Sequence, residues 1–147
     1  MIQPCIARLK SFDIPVEVRV ISAHRTPAAA EQFASAAKEN GFGAIIAAAG
    51  KAAHLAGVLA AYTTLPVIGV PIKTSLMGLD SLLSMVQMPK GIPVACVAVD
   101  GADNAAILSA QMLALSDSDL ADRLTRFKSD MAQEVAQKDQ KMQREEF

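Results

Sequence analysis

The sequence predicts an α/β domain in which helices cover both faces of a parallel sheet. Short apolar runs alternate with helical patterns along the chain, and most runs are apolar throughout, which is typical of strands buried on both faces. The 147 residues are 52% hydrophobic but only 4% aromatic, so the core must consist of small and aliphatic side chains. We therefore expect a single domain spanning residues 1–147.

The first half of the chain contains an opening helix followed by two strand–helix units. Val16, Val18 and Val20 alternate with charged residues, a period of two that predicts a strand with one wetter face. Thr26 and Pro27 are suited to be the cap and the first residue of the next helix. The predicted elements are a helix over residues 5–12, a strand over 16–21, a helix over 28–40, a strand over 44–49 and a helix over 52–63.

The second half repeats this alternation. The predicted elements are a strand over residues 66–70, a loop over 71–78, a helix over 79–87, a strand over 94–99 and a helix over 104–115. Parallel sheets of this kind bind ligands at the carboxyl ends of their strands. Functional residues are therefore expected directly after the strands.

The final segment, residues 117–147, predicts a long helix with Ser116 or Asp117 as its cap. Beyond residue 136 it is almost wholly polar. A helix this long can project from a small domain, so we expect it to contact neighbouring subunits; a helix lying on its own domain is the alternative. Its apolar stripe consists of Leu120, Leu124, Phe127, Met131 and Val135.

Charge and hydropathy argue against two classes of partner. Fourteen basic and 15 acidic residues give a net charge of -1 without a basic stripe, so nucleic acid is not expected. The longest apolar stretches are too short to span a bilayer and no leader follows Met1, so no membrane contact is expected. Cys5 and Cys96 lack redox or zinc spacing and are expected to be reduced thiols. These features predict a cytoplasmic protein.

The run Ser22-Ala23-His24-Arg25 follows the first predicted strand and is the strongest candidate for a site. Histidine is the side chain whose unperturbed pKa lies nearest neutrality, so His24 is the type of residue that can both take and return a proton. Arg25 offers a planar cationic fork for a phosphate, and the helix that begins at Pro27 adds free N–H groups. The alternative is that His24 is a loop histidine without a catalytic role and Arg25 a surface arginine. The position of both residues directly after a predicted strand argues against this alternative.

A second cluster, residues 49–57, places Gly50 at a strand end and His54 at the start of a helix. Glycine there allows the backbone to approach a ligand closely, although such turns also occur for packing reasons. The two histidines have neither metal-site spacing nor a carboxylate cluster, so no metal is expected. A serine-hydrolase elbow, a Walker loop and a dinucleotide fingerprint are also missing from the residues present.

Five segments together resemble the class I PurE family, the N5-carboxyaminoimidazole ribonucleotide mutases of purine biosynthesis. The resemblance implies a flavodoxin-like three-layer α/β/α domain that assembles into a homo-octamer and uses no cofactor. It also implies a ribonucleotide substrate, N5-carboxyaminoimidazole ribonucleotide, and a product carboxylated at C4. The segments are SAHRTP at 22–27, AAHLAG at 52–57, PVIGVP at 66–71, GLDSLLSMVQMPKGIPVA at 78–95 and NAAILSAQML at 104–113.

The resemblance also implies roles for individual residues. The histidine of SAHRTP is the family's acid and base, which corresponds to His24, and the adjoining Arg25 holds the phosphate. The residues that line the base and the carboxylate are Ser22, Gly50, Ala52, His54 and Leu55. One histidine near neutrality could protonate the carbamate nitrogen and later take the proton from C4.

The chain departs from the family pattern at its start. The family begins with a strand and a Gly-Ser-x-Ser-Asp loop that binds substrate, and neither precedes the helix at residues 5–12. Lys51 and Ala56 also replace a common glycine and proline, and the loop at residues 73–78 is one residue shorter. We expect an N-terminally shortened chain whose first strand is missing, and which alone is insoluble or inactive because the sheet lacks that strand.

Two alternatives to the mutase stay open. One is an aminoimidazole ribonucleotide carboxylase that uses carbon dioxide directly, although the AAHLAG run with His54 favours the mutase by resemblance. The other is a non-catalytic subunit that assembles with others but lacks the first substrate loop. Supplying each substrate to the purified protein separates the mutase from the carboxylase. The sequence encoded upstream of Met1 discriminates the non-catalytic subunit.

Overall fold

A parallel sheet of three strands forms the centre of the computed structural model, which describes residues 1–144. The strands are β1 (Ile45–Gly50), β2 (Val67–Ile72) and β3 (Ala95–Cys96), in the order β1-β2-β3. β1 and β2 pair over their full lengths, from Ile45 opposite Val67 to Gly50 opposite Ile72. Every residue of the central strand β2 is buried. The predicted α/β class with a parallel sheet is confirmed.

Six α-helices surround this sheet within the described residues. A 3₁₀ turn, Leu76–Gly78, lies between β2 and the fourth of them. The helices are α1 (Gln3–Ser11), α2 (Pro27–Ala37), α3 (Leu55–Ala61), α4 (Leu79–Val86), α5 (Ala102–Leu113) and α6 (Ser118–Gln143).

Side chains that alternate along the strands contribute to two different hydrophobic clusters, one on each face of the sheet. Ile45 and Ala47 of β1 pack with alanines of α2 and α3, whereas Ile46 and Ala48 pack with α1 and α5. This alternation follows from the two-residue period of a strand. The three layers agree with the predicted flavodoxin-like architecture, and small residues such as Ala30 are fully buried where helices approach closely.

The segment predicted as a strand over residues 16–21 is extended but is not a strand. Its backbone forms no ladder with another strand among the described residues. Val16 and Ile21 are partly buried against the two clusters, while Val18 and Val20 are exposed. The prediction was wrong because alternation reports which side chains are apolar, whereas a strand also requires a hydrogen-bonded neighbour.

Three other predicted elements differ from those observed by three residues at one end. β3 pairs only at Ala95 and Cys96, so most of the apolar run at 94–99 lies outside the ladder. The predicted helix at 52–63 begins three residues later, at Leu55, because residues 51–54 form a turn. The predicted helix at 28–40 ends at Ala37, three residues early.

The C-terminal helix α6 begins where the sequence predicts. The side chain of Asp117 accepts a hydrogen bond from the backbone N–H of Leu120, which caps the helix. Leu120, Leu124 and Phe127 pack against their own domain, whereas Met131 and Val135 are exposed. The predicted segment extends to residue 147, and its last three residues lie outside the described part. None of the helices described here combines the length and apolarity needed to cross a membrane.

Candidate active site

The carboxyl ends of β1 and β2 lie side by side because Gly50 pairs with Ile72 in the parallel register. The turn at residues 51–54 follows β1, and the loop at residues 73–75 follows β2. The turn at residues 22–26 precedes α2. The sequence predicted a site directly after strands. These three loops, with Gly50 and Leu55 at the two ends of the second, contain the predicted site residues and one residue that was not predicted.

Ser22 and Thr26 close the first of these turns on each other. The backbone N–H of Thr26 donates to the carbonyl of Ser22 over 2.8 Å, and the Ser22 N–H donates to Thr26 Oγ1 over 2.9 Å. The Thr26 hydroxyl in turn donates to the Ser22 carbonyl over 3.0 Å. Thr26 is the residue at the start of α2, as predicted, but its side chain fixes the turn instead of capping the helix.

Arg25 is exposed at the mouth of this turn. Its backbone N–H donates to the Ser22 hydroxyl over 3.2 Å, and its Nε lies 3.5 Å from the same oxygen. The Ser22 hydroxyl therefore orients the arginine. No side chain caps the N-terminus of α2, so the free N–H groups of its first turn add to the positive potential beside Arg25.

The second turn places His54 at the N-terminal end of α3. The His54 N–H donates to the carbonyl of Ala52 over 2.8 Å, and Ala53 between them is buried in the core with 2% of its surface exposed. Lys51 opens the turn with a φ of 57°, the left-handed region that favours glycine. A buried alanine and a hydrogen-bonded backbone thus hold the exposed His54 ring in place.

The two histidines of the chain meet across these turns. Nε2 of His24 lies 2.8 Å from Nδ1 of His54, and the rings meet edge to face with an interplanar angle of 89°. One ring donates and the other accepts, so the tautomer of each ring depends on the other. Both side chains are exposed and accessible to a ligand. Such a pair can hold or transfer one proton at the carboxyl edge of the sheet.

The structure brings together Ser22, His24, Arg25 and His54, which the sequence had placed in two separate clusters. The other predicted residues are part of the second turn through their backbone or through packing. Ala52 accepts the hydrogen bond from His54, Leu55 begins α3 and packs on the core, and Gly50 ends β1. Three or more metal-ligating side chains do not converge anywhere in residues 1–144.

Sequence reasoning missed Thr74, which lies in the loop after β2. Its Oγ1 accepts a hydrogen bond from the backbone N–H of Lys51 over 3.0 Å. The position directly after a strand was a signal that could have identified it. The hydrogen-bond partner of Thr74 could not be identified from the sequence, because 23 residues separate Thr74 from Lys51.

Comparisons with known proteins agree with one another. The model of the AIR carboxylase family matches residues 1–134. A Pyrococcus horikoshii protein named N5-carboxyaminoimidazole ribonucleotide mutase is 51% identical over 136 residues, which cover 92% of this chain and 77% of that protein. A Mycobacterium tuberculosis protein of the same name is 54% identical over 139 residues, covering 94% of this chain and 80% of the relative.

One structural neighbour and one further relative complete this picture. The crystal structure of Treponema denticola PurE superposes with a TM-score of 0.86 and 27% identity, covering 97% of this chain and 89% of that one. A Vigna aconitifolia protein named chloroplastic phosphoribosylaminoimidazole carboxylase is 47% identical over 137 residues, which cover 92% of this chain but 25% of that protein.

Proposed function

The chain belongs to the AIR carboxylase family, and we propose that it is an N5-carboxyaminoimidazole ribonucleotide mutase of purine biosynthesis. In this reaction a carboxyl group moves from the exocyclic nitrogen to C4 of the imidazole, giving 4-carboxy-5-aminoimidazole ribonucleotide. Relatives about half identical to the chain have that name. The observation that carries the proposal is the contact between His24 and His54 beside Arg25, because the reaction needs a proton donor and acceptor next to a phosphate site.

His24 is the catalytic acid and base in this proposal. When the carbamate C–N bond breaks, carbon dioxide leaves and the protonated imidazole of His24 gives the nitrogen a proton. C4 then attacks the carbon dioxide, and the now neutral His24 takes the proton that C4 loses. The proton that His24 gives to the nitrogen is replaced by the proton that it takes from C4. A single imidazole therefore serves both steps, and the enzyme returns to its starting state.

Arg25 binds the ribonucleotide phosphate in this proposal. Arg25 is exposed, permanently charged and oriented by the Ser22 hydroxyl, and the uncapped start of α2 lies next to it. A guanidinium with adjacent helix N–H groups favours a dianionic phosphate over an uncharged group. The residues that line the imidazole and its carboxylate are then Ser22, Gly50, Ala52, His54 and Leu55.

Released carbon dioxide must stay close to C4 for the second step. The turn after β1 presents small residues, with Gly50 and Ala52 on either side of Lys51. A bound substrate over this turn excludes water, which keeps the carbon dioxide within reach and suppresses its loss. Escape of carbon dioxide would turn the enzyme into a decarboxylase.

The proposal is tested by supplying each substrate separately to the purified protein. In a form extended by the family's first strand and Gly-Ser-x-Ser-Asp loop, we expect turnover of N5-carboxyaminoimidazole ribonucleotide into the C4 product, and much slower turnover of aminoimidazole ribonucleotide with bicarbonate. A comparable rate with aminoimidazole ribonucleotide and bicarbonate would assign a carboxylase, the activity named for the Vigna aconitifolia relative. A folded protein without turnover of either substrate would assign a non-catalytic subunit.

Self-association is the second part of the proposal. We infer a homo-octamer of single-domain chains in which α6 contacts neighbouring subunits. Two exposed apolar surfaces support assembly: Met131 and Val135 on α6, and Leu79, Leu83 and Val86 on α4. Light scattering after size-exclusion chromatography should give eight times the chain mass of 15.5 kDa. Monomer mass at micromolar concentration would contradict it.

A cytoplasmic location is the third part. Cys5 and Cys96 are both free thiols, which is usual for proteins kept in a reducing compartment. The proposed substrate is a charged metabolite that needs no transport if the enzyme is cytoplasmic. Fractionation of cells that express the tagged chain should recover it with cytoplasmic enzymes and not with secreted or membrane fractions.

A further inference from the structure

The loop after β2 contacts the turn that holds His54, and Thr74 is its contact residue. Because Gly50 pairs with Ile72, Thr74 reaches the first residue beyond β1. There its Oγ1 accepts the hydrogen bond from the Lys51 N–H. This is the side-chain hydrogen bond that joins the two loops in the described structure.

Two neighbours of Thr74 are themselves anchored. The N–H of Lys73 donates to Oδ1 of Asp100 over 3.1 Å. On the other side, the Ser75 hydroxyl is hydrogen-bonded to the carboxylate of Asp80 at the start of α4. The Thr74 backbone is therefore held from both ends, and its hydroxyl has a defined position against the neighbouring turn.

Gly50 permits this close approach. A Cβ at Gly50 would lie 2.6 Å from Thr74 Cγ2 and 2.8 Å from its Oγ1, distances that real side chains do not reach. The next residue, Lys51, has a φ of 57°, a conformation that costs a non-glycine residue free energy. The hydrogen bond from its N–H to Thr74 stabilises that conformation.

The conformation of Lys51 determines where His54 lies. Only Ala52 and Ala53 separate the two residues, and Ala53 is fixed in the core. With one end of the turn held by the core and the other by Thr74, the His54 ring is directed at His24 over 2.8 Å. A change of a few tenths of an ångström in this turn weakens a hydrogen bond of that length.

We propose that Thr74 is a positioning residue for the reaction: through Lys51 and the turn it fixes His54 against His24, and so sets the tautomer of the imidazole that transfers the proton. The inference rests on the proposed mutase activity for its kinetic consequence. Its structural consequence, the state of the two imidazole rings, is independent of that activity.

Three substitutions test this role. Thr74→Val keeps the shape of the side chain but removes the acceptor, Thr74→Ser keeps the hydroxyl, and Thr63→Val is the matched control. Thr63 Oγ1 also accepts a backbone N–H, that of Leu65 over 3.2 Å, but it precedes β2 at the opposite edge of the sheet. Each variant is checked for folding by its thermal midpoint.

The first readout is kinetic. We expect kcat of Thr74→Val to fall about tenfold with KM changed less than about threefold, because one hydrogen bond of ordinary strength is lost away from the phosphate. Thr74→Ser should restore kcat to within about threefold of the parent, and Thr63→Val should leave it unchanged. A Thr74→Val enzyme with the parental kcat, or a Thr74→Ser enzyme as impaired as Thr74→Val, would overturn the proposal.

The second readout is the ¹⁵N spectrum of the imidazole rings without substrate. The chain has only two histidines, so each ring gives an assignable signal. We expect Thr74→Val to change the tautomer populations of both rings, and Thr63→Val to change neither. Unchanged tautomers in Thr74→Val overturn the positioning role whatever the kinetics. If the parent protein lacks mutase activity, the proposed function fails while this readout still decides the role of Thr74.

Discussion

Nε2 of His24 and Nδ1 of His54 are 2.8 Å apart, although 30 residues separate the two histidines in the chain. Each ring lies in a turn that is fixed independently, the first by Ser22 and Thr26 and the second by the buried Ala53. The contact therefore joins two preformed turns and does not depend on one long flexible loop. Its position at the carboxyl edge of a parallel sheet is where such folds bind ligands.

His24→Asn should abolish turnover while keeping ligand binding. The amide occupies similar space and can donate and accept a hydrogen bond, but it cannot transfer a proton near neutral pH. We expect kcat to fall by at least about a hundredfold, the lower end of a general acid–base contribution. Binding is measured by calorimetry with the product. A variant within about tenfold of the parental kcat would exclude His24 as the acid and base.

His54→Phe should lower kcat less than His24→Asn does. The phenyl ring fills the place of the imidazole and keeps the edge-to-face contact, but it removes the nitrogen that lies against His24. We expect a loss of about tenfold, since a supporting hydrogen bond is lost while the proton-transferring group remains. Steady-state kinetics measures it, and a loss as large as that of His24→Asn would instead make His54 an acid or base in its own right.

Arg25→Leu should weaken binding of the ribonucleotide by about 1.5–3 kcal/mol, the value of a hydrogen bond to a charged group. The effect should appear in Kd and KM, and should shrink at high ionic strength. Arg126→Leu is the control, because Arg126 is an exposed arginine of α6 remote in sequence from the site. Equal affinity in the parent and in Arg25→Leu would place the phosphate elsewhere.

Cys5 should react with a thiol reagent much more slowly than Cys96 at pH 8. Burial, with a further contribution from the nearby Asp103, raises the pKa of Cys5 to about 11. Burial also raises the pKa of Cys96, but its side chain is only half-buried. The thiolate is the reactive form, so both shifts slow the reaction and limited access slows Cys5 further. Mass spectrometry of timed alkylation measures the order, and Cys5 reacting first would contradict it.

The raised pKa of Cys5 makes the stability of the folded chain depend on pH. The neutral thiol of Cys5 is favoured in the folded state, whereas the unfolded chain titrates at the ordinary pKa of 9.0. Its contribution to stability is therefore fully present below pH 9 and is lost as the pH rises toward 11. Replacing Cys5 with Ala should flatten the fall in thermal midpoint over this range, and an equally steep fall would show that other groups cause it.

Ser81→Ala should destabilise the fold by about 1–2 kcal/mol, because a buried hydroxyl is lost and its backbone partners are left without it. The fully buried hydroxyl of Ser81 contacts the carbonyls of Ile72 and Gly78, at 3.1 and 2.9 Å, and so joins α4 to the end of β2. Urea unfolding measures the change. Ser84→Ala is the matched control, since its hydroxyl contacts only the Asp80 carbonyl within α4 and should cost less.

The sequence predicted much of the local structure of the chain. α4 was expected at 79–87 and is observed at Leu79–Val86, and the Asp117 cap is observed in α6. Caps, breakers and apolar runs act over a few residues, so a single stretch of sequence contains the information. His24, Arg25 and His54 could be predicted as candidates for the same reason, because each follows an apolar run or its turn.

Only the tertiary structure decided which of these elements meet. Residues 16–21 alternate like a strand but have no hydrogen-bonded strand partner among the described residues, and the apolar run at 94–99 pairs over only two residues. The contacts from His24 to His54 and from Lys51 to Thr74 join residues 30 and 23 positions apart. Residue pattern fixes which side chains are apolar, charged or able to turn the chain, whereas pairing depends on which neighbour the packed sheet brings within hydrogen-bond distance.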